Sequence, residues 1–404
     1  MALFGDLDNI VWELTLRCNA RCVHCGSSAG QDRENNLTEQ ELLRVCDELA
    51  EAKCRKVTLI GGEAFLHPSW RKIVERLSSH GICVAVVTNG LFLDEEKLNF
   101  FANNNTECIG ISLDGASPET HDKIRNVPGI FNRIFGLKDL FKKYKIPVVA
   151  VTTITNLNIL ELPKLFKVLS KSFFNGWQIQ VGSPYGRMQE NLGLNEMEFY
   201  VLGLFIAIAQ RRISQKKLEI FGMHDVGYFS EVIPSSVCIA GDDWNGCPAG
   251  KYVMGIRSDG KVTGCLSIYN DKYLEKNDLR QKSVKDIWCD SDFCSWNKRY
   301  NRSKELKGFC KECPFSAVCC AGCSSLADSY CNSIGENRLC FRFIEHKYKE
   351  TNATDEYSLI MKDLTNGKLL KSGKFKLANG KYIDEEYLEK IKDKSIRDLI
   401  SVLK

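Results

Sequence analysis

The chain has 404 residues, of which 44% are hydrophobic and 26% charged, and its formal net charge is +4. This composition is ordinary for a soluble globular protein. The charge is too small to indicate nucleic acid or a membrane surface as a partner. No apolar run approaches the roughly 18–20 residues that span a bilayer. The length allows one large domain with one or two smaller ones.

Nineteen cysteines are the unusual part of the composition. Residues 1–10 lack the basic segment, long apolar run and cleavage site of an export signal. We therefore expect a cytoplasmic protein with reduced thiols, for which metal binding is the default explanation. No cysteine lies between Cys108 and Cys238, and many follow. This distribution predicts an N-terminal catalytic region and a separate cysteine-rich one.

β-rich runs alternate with amphipathic helices through the first two hundred residues. Strands are predicted at 10–16, 55–60, 82–88, 108–113, 147–154 and 177–181, and helices at 38–52, 68–80, 94–103 and 160–170. This rhythm of six βα units predicts an α/β fold with a parallel sheet. We favour a partial (β/α)6 TIM-like barrel over a doubly wound open sheet, because cysteines and not GxGxxG follow the first strand.

Those cysteines form a tight triplet, Cys18, Cys22 and Cys25. Three thiolates at these spacings can hold three corners of one iron–sulfur cluster and leave its fourth iron open to a ligand. Structural zinc is the alternative, although zinc sites usually close all four positions.

Glycine and polar residues mark the ends of the strands that follow the triplet. In chain order they are Gly61-Gly62-Glu63, Thr88-Asn89-Gly90, Ser112-Leu113-Asp114-Gly115 and then His121-Asp122-Lys123-Ile124-Arg125. With the triplet they resemble the radical S-adenosylmethionine (radical SAM) superfamily over about residues 8–215. The triplet matches its signature CxxxCxφC, with His24 at the position usually held by an aromatic residue.

The resemblance implies a [4Fe–4S] cluster on Cys18, Cys22 and Cys25, whose open iron binds S-adenosylmethionine (SAM). Reductive cleavage of the sulfonium would give a 5′-deoxyadenosyl radical. The implied SAM contacts are His24, Gly61, Gly62, Glu63, Asn89, Ser112, Asp114 and Arg125, with Arg133 a weaker candidate. Glu63 would accept a hydrogen bond from the methionyl amine, and Arg125 would pair with the carboxylate. The two glycines would let the backbone approach the methionyl group.

A second cysteine pattern begins with Cys247, Gly260 and Cys265, which fit C-x(9–15)-G-x4-C. With the later cysteines it resembles the SPASM extension of radical SAM enzymes over roughly residues 235–345, which binds two auxiliary [4Fe–4S] clusters. The resemblance assigns Cys247, Cys265 and Cys323 to the first, with Cys238 as its fourth ligand or an open iron in its place. It assigns Cys310, Cys313, Cys319 and Cys340 to the second, with Cys331 competing with Cys340. A zinc site at 310–323 is the alternative.

Three domains are expected. The radical SAM barrel covers 1–215, a linker and SPASM domain 216–345, and a charged C-terminal extension 346–404. A helix is predicted over 384–403, and we interpret the extension as solvated rather than as a substrate clamp. No separate leader-binding domain is expected before the barrel.

The resemblance implies an enzyme that crosslinks a ribosomally made precursor peptide. Its cofactors would be SAM and three [4Fe–4S] clusters, its electron donor a flavodoxin or ferredoxin, and its partners would include neither nucleic acid nor membrane. Leu266 follows Cys265, where the sulfatase-maturating branch carries a catalytic Asp, so no catalytic residue is assigned. Arg187 is a weak candidate for a substrate or cofactor contact. Formylglycine formation, peptide epimerisation, small-molecule dehydrogenation and a non-enzymatic electron carrier stay open.

Overall fold

A computed structural model of the chain describes residues 7–230, 233–274, 276–350, 368–369 and 375–376. The helix predicted over 384–403 lies outside these residues. No helix in the described part is long and apolar enough to cross a membrane.

Strands and helices alternate through the first half of the described chain, and short helices dominate the second. The strands are β1 (Asn9–Glu13), β2 (Lys56–Ile60), β3 (Cys83–Thr88), β4 (Thr106–Ser112), β5 (Val148–Ile154), β6 (Gly176–Val181), β7 (Glu219–Gly222), β8 (Val253–Ile256), β9 (Lys261–Thr263), β10 (Asn277–Asp278), β11 (Lys368–Leu369) and β12 (Phe375–Lys376). The helices are α1 (Glu39–Glu51), α2 (Trp70–Ser79), α3 (Glu95–Ala102), α4 (Pro118–Arg125), α5 (Ile130–Phe135), α6 (Lys138–Tyr144), α7 (Leu162–Leu169), α8 (Glu196–Arg212), α9 (Val284–Trp288), α10 (Arg299–Glu305), α11 (Gly308–Glu312), α12 (Ser316–Cys319), α13 (Ser324–Cys331) and α14 (Phe341–Glu350).

Strands β1 to β7 lie side by side in chain order, and each pairs with the next in parallel. Strands β1 to β8 line one cavity, and in β1, β2, β5 and β8 the lining residues alternate, as Val149, Val151 and Thr153 of β5 do. Because side chains of a strand alternate between faces, this periodicity places the cavity inside a curved sheet. The predicted α/β parallel sheet with a TIM-like arrangement is confirmed.

The sheet extends beyond the six predicted strands. β7 is only four residues long, too short to carry a clear apolar pattern. β8 pairs in parallel with β1 and begins the antiparallel run β8-β9-β10. The second cysteine region therefore contributes strands to the sheet that carries the first.

A capping box begins α1. The Thr38 hydroxyl accepts from the Glu41 N–H at 3.3 Å, and the Glu41 carboxylate accepts from the Thr38 N–H at 2.7 Å. We expect Thr38→Ala to lower the free energy of unfolding by about 1 kcal/mol, measured by anaerobic urea denaturation, because it leaves an N-terminal N–H without this partner. Thr38→Ser keeps the hydroxyl and is the control, so an equal loss with serine would contradict the capping role.

Phe341, in the second cysteine region, packs against the barrel. Its ring packs against Phe199 of α8, with 5.0 Å between ring centroids. A Cβ added to Gly203 or Gly227 would clash with the same ring. Because Phe341 directly follows Cys340, this packing fixes the position of that cysteine relative to the barrel.

Candidate active site

A cavity of about 1340 Å³ lies inside the curved sheet. His24 and Cys25, from the loop that follows β1, line one part of its wall. Cys265 and Cys323, from the second cysteine region, line another part. The cavity therefore faces both groups of cysteines that the sequence singles out.

The loop that carries the triplet is held by the segment that follows β6. Arg187 donates from Nε to the Cys22 carbonyl at 3.1 Å and from Nη1 to the Ala29 carbonyl at 2.8 Å. Its backbone N–H donates to the Cys25 carbonyl at 3.0 Å. Gly186 has a φ of 60°, and a Cβ there would clash with the Gly26 carbonyl. Arg187 therefore positions the cysteine loop, which differs from the substrate or cofactor contact expected from the sequence.

Gly61 and Gly62 lie directly against the backbone that leads into the triplet. The Gly62 N–H donates to the Thr15 carbonyl at 2.7 Å, and the Glu63 N–H donates to the Arg17 carbonyl at 2.8 Å. A Cβ on either glycine would clash with a carbonyl oxygen, that of Thr15 for Gly61 and that of Arg17 for Gly62. This close approach explains why glycines stand here, whatever else binds beside them.

Glu63 is buried and ties two strand ends together. Its carboxylate accepts from the Thr88 hydroxyl at 2.8 Å and from the Asn89 N–H at 2.9 Å. Burial raises its pKa to about 7, although these hydrogen bonds oppose the shift. The Asn89 side chain in turn donates to Asn19 Oδ1, at 2.7 Å, on the cysteine loop. The motifs after β2 and β3 thus support the loop that carries the triplet.

Asp114 is the centre of a buried ionic network. Its Oδ2 lies 2.7 Å from His24 Nε2 and 2.6 Å from Arg125 Nε, and its Oδ1 accepts from the Thr153 N–H at 2.9 Å. Burial alone would raise the pKa of Asp114, but Arg125 and His24 outweigh it and hold the pKa well below its usual range. Arg125 also donates to Cys22 Sγ at 3.8 Å. The network therefore links α4 and the end of β4 to two residues of the CxxxCxφC segment.

The structure brings the predicted SAM residues to one end of the sheet but gives several of them protein partners. His24 and Gly61 line the cavity. Ser112 lies buried at the end of β4. The Arg125 guanidinium meets Asp114 and Cys22, and Arg133 donates to the Leu93 carbonyl at 2.6 Å. The SAM contacts of all of these residues stay predictions.

Three cysteines predicted for the first auxiliary cluster lie close together. The field of Cys247 raises the pKa values of both Cys265 and Cys323, after burial as the largest cause. Cys238 lines the same cavity wall, but its thiol is directed at the Met223 carbonyl, at 3.6 Å. Cys247 therefore lies near both Cys265 and Cys323, while the assignment of these three cysteines and of Cys238 to one cluster stays a prediction.

The four cysteines predicted for the second auxiliary cluster also lie within reach of one another. Burial raises the pKa of Cys319 to about 12, with Cys310 and Cys313 adding to the shift. Burial and then Cys319 raise the pKa of Cys340. Cys331 acts on Cys310 as well, so it lies at the edge of this group.

In the described residues the cysteine thiols are not paired as disulfides, and they do not converge in threes on one point. All nineteen cysteines lie in the described residues, and none forms a disulfide. A zinc ion draws its thiolates to about 2.3 Å from one point. No three His, Cys, Asp or Glu side chains converge in this way between residues 7 and 350, wherever they are described.

Sequence reasoning missed His224 and Asp225, which follow β7 and line the cavity. The signal that could have found them is the one that predicted the other site residues, namely polar residues at the end of a strand. It was not applied because the short β7 was not predicted.

The fold and the site together define an α/β barrel-type iron–sulfur protein with a cysteine-rich extension. The Radical SAM superfamily model matches residues 12–169, and the SPASM iron–sulfur cluster-binding domain model matches residues 247–314. The chain belongs to the radical SAM superfamily and carries a SPASM domain. These domains imply SAM and [4Fe–4S] clusters as cofactors.

Two relatives align with most of the chain. The AdoMet-dependent heme synthase of Methanosarcina barkeri is 28% identical over 332 residues, which cover 79% of this chain and 91% of the relative. The mycofactocin maturase MftC of Mycobacterium ulcerans is 27% identical over 318 residues, 78% of this chain and 82% of the relative.

Two solved structures share the fold. Streptococcus suis SuiB bound to S-adenosylmethionine superimposes with a TM-score of 0.67 at 16% identity, covering 83% of this chain and 77% of SuiB. Native anSMEcpe with bound AdoMet gives a TM-score of 0.63 at 18% identity, covering 87% of this chain and 98% of anSMEcpe.

Proposed function

We propose that the protein is a peptide maturase that removes a hydrogen atom from a residue of a ribosomally made precursor peptide and oxidises the product to form a crosslink. The observation that carries this proposal is the 1340 Å³ cavity, whose wall includes both Cys25 and the pair Cys265 and Cys323. A substrate residue in this cavity would face a radical source and an electron acceptor at once.

The chain would hold three [4Fe–4S] clusters. Cys18, Cys22 and Cys25 would hold the first, and SAM bound to it supplies a 5′-deoxyadenosyl radical on one-electron reduction. Cys247, Cys265 and Cys323, joined by Cys238, would hold the second. The third would lie on Cys310, Cys313, Cys319 and Cys340. Thiolates in such sites are stabilised by the iron, which offsets the burial that raises their pKa values in the free chain.

The chain's own residues prepare this site for a radical reaction. Arg187 and the Asp114 network hold the triplet loop in place before any ligand binds. Curved sheet walls keep the reacting groups away from bulk water. A preformed site reduces the reorganisation that the reaction requires.

A peptide fits the charges of the cavity better than a tetrapyrrole does. The heme synthase relative makes a porphyrin product the second candidate, and porphyrins carry propionate groups that call for cations. Of the described residues that line the cavity, the lysines and arginines are Lys56, at the start of β2, and Arg211, in the last turn of α8. Lys56 lies near Cys83 and Cys108, which are not predicted cluster ligands. Asp225 puts on the wall a carboxylate that has no ion-pair partner in the described residues.

The proposal includes a cytoplasmic location and a flavodoxin or ferredoxin as the electron donor. The unpaired state of all nineteen cysteines supports a reducing compartment. The name of the MftC relative, a maturase, supports a peptide substrate.

The test combines the anaerobically reconstituted protein with SAM, dithionite and each short peptide that sequencing of the neighbouring genes identifies. We expect 5′-deoxyadenosine and a peptide that has lost two hydrogen atoms, both measured by mass spectrometry. Turnover of Fe-coproporphyrin III instead of the peptide would establish the tetrapyrrole alternative. No 5′-deoxyadenosine with any substrate would refute the enzyme and leave an iron–sulfur electron carrier.

A further inference from the structure

Asp225 is a residue of the cavity wall, and only one of its two carboxylate oxygens has a hydrogen-bond partner among the described residues. It follows β7 in the segment Met223-His224-Asp225, and all three residues line the cavity. Its Oδ2 accepts from the Val181 N–H at 2.9 Å, at the end of β6. Its Oδ1 is buried and has no hydrogen-bond partner.

An unpartnered carboxylate oxygen is costly to bury. Asp225 forms no ion pair with a cation in the described part of the chain. The neighbouring His224 has a buried Nδ1 that is also without a partner. Both residues line the cavity, and buried polar atoms without a protein partner are expected beside a cavity that binds a polar ligand.

The position of Asp225 relates it to the first auxiliary group of cysteines. Its charge raises the pKa values of Cys265 and Cys323, which lie on the same wall. The titratable groups within its field are Tyr228, Cys238, Cys265, Cys323 and Tyr330. None of them is a cation, and burial raises the pKa of Asp225 to about 7. Such a carboxyl exchanges its proton near neutral pH, as a general base requires.

We propose that Asp225 is the catalytic base that takes the proton from the substrate during its oxidation. This inference rests on the proposed function. A substrate C–H loses its hydrogen atom to the 5′-deoxyadenosyl radical, which becomes 5′-deoxyadenosine. The carbon then loses one electron to an oxidised auxiliary [4Fe–4S] cluster, and a neighbouring O–H, N–H or C–H group loses its proton to Asp225 Oδ1. A bond forms between that group and the carbon, so the substrate loses two hydrogen atoms in total.

The test compares Asp225→Asn and Asp225→Glu in the reconstituted holoenzyme, and the probe is the peptide that the wild type modifies in the test of the proposed function. Asparagine keeps the oxygen that accepts from Val181 but cannot take the proton. We expect Asp225→Asn to lower the rate of crosslinking about 100-fold. Deuterium from the labelled peptide still appears in 5′-deoxyadenosine, and the peptide Kd and the iron content stay unchanged. Asp225→Glu restores part of the rate.

Glu219→Gln is the matched control, because Glu219 begins the same strand and lines the cavity at its other end. Its rate should equal that of the wild type. Crosslinking at the wild-type rate in Asp225→Asn, or loss of peptide binding in place of turnover, would overturn the assignment.

A second readout needs no turnover. Infrared spectra of the wild-type holoenzyme at pH 6 should contain a protonated-carboxyl band that Asp225→Asn lacks, and the absence of this band would also overturn the proposal. If the wild type alters no peptide, the proposed function fails, and the infrared result still decides whether Asp225 is the proton-exchanging carboxyl of the cavity.

Discussion

Replacing Cys18, Cys22 and Cys25 together with alanine will abolish cleavage of SAM and remove one cluster. The wild type should bind about twelve iron and twelve sulfide per chain in three [4Fe–4S] clusters, and the variant about eight of each. The remaining iron is retained because the auxiliary cysteines lie in a separate segment of the chain, from Cys238 to Cys340. Iron and sulfide analysis and the yield of 5′-deoxyadenosine with dithionite measure the two effects.

A matched variant removes three thiols from another part of the barrel. Cys54 precedes β2, Cys83 begins β3 and Cys108 lies early in β4. Alanine at these three positions should leave about twelve iron per chain and full SAM cleavage, because none of them is near the triplet loop. Retention of about twelve iron by the Cys18/Cys22/Cys25 variant would refute the assignment of the radical-generating cluster.

Much of the fold could be predicted because its signals are local. Each βα unit carries its own alternation of apolar residues and its own polar strand end, so the parallel order from β1 to β6 is readable segment by segment. The triplet and the distal cysteines are equally readable, because ligand spacing is a property of sequence. The division of these cysteines among three clusters came from the family resemblance and stays a prediction, and the thiol of Cys238 is directed at the Met223 carbonyl.

The parts that could not be predicted depend on contacts between distant segments. Strand β8 pairs with β1 although more than two hundred residues, which include strands β2 to β7, separate the two in the sequence. The clash of a Cβ on Gly62 with the Arg17 carbonyl is visible only once the two loops meet. The sequence also offers no way to know that the charge of Arg125 is met by Asp114. The sequence thus predicts which residues lie at the strand ends, but only the structure shows which residues they contact.

Asp114→Asn is expected to destabilise the protein by about 3–5 kcal/mol, because it leaves the buried Arg125 charge without its counter-ion. Asp114 is fully buried and Arg125 is 8% exposed, so water cannot replace the lost partner. The double variant Asp114→Asn/Arg125→Met removes both charges and should recover a large part of this loss. Anaerobic urea denaturation of the four proteins of this cycle measures the coupling. Additive effects of the two single substitutions would contradict a direct ionic link.

The same pair predicts a pH dependence whose sign follows from the pKa of Asp114. That pKa is lower in the folded chain than in the unfolded chain, so the unfolded chain binds the proton first as the pH falls. The stabilisation is therefore complete above the ordinary aspartate pKa of about 4 and is lost as the pH falls toward the folded-state value. The stability of Asp114→Asn should not show this fall at low pH. Its iron on the Cys22 loop should also dissociate more readily, because the neutral asparagine no longer holds Arg125 and His24 by charge.

Asp47→Asn is the control, since Asp47 pairs with Arg76 at 2.6 Å on the surface, where water screens the charges. A stability loss from Asp47→Asn as large as that from Asp114→Asn would show that burial of the network is not what makes Asp114 important.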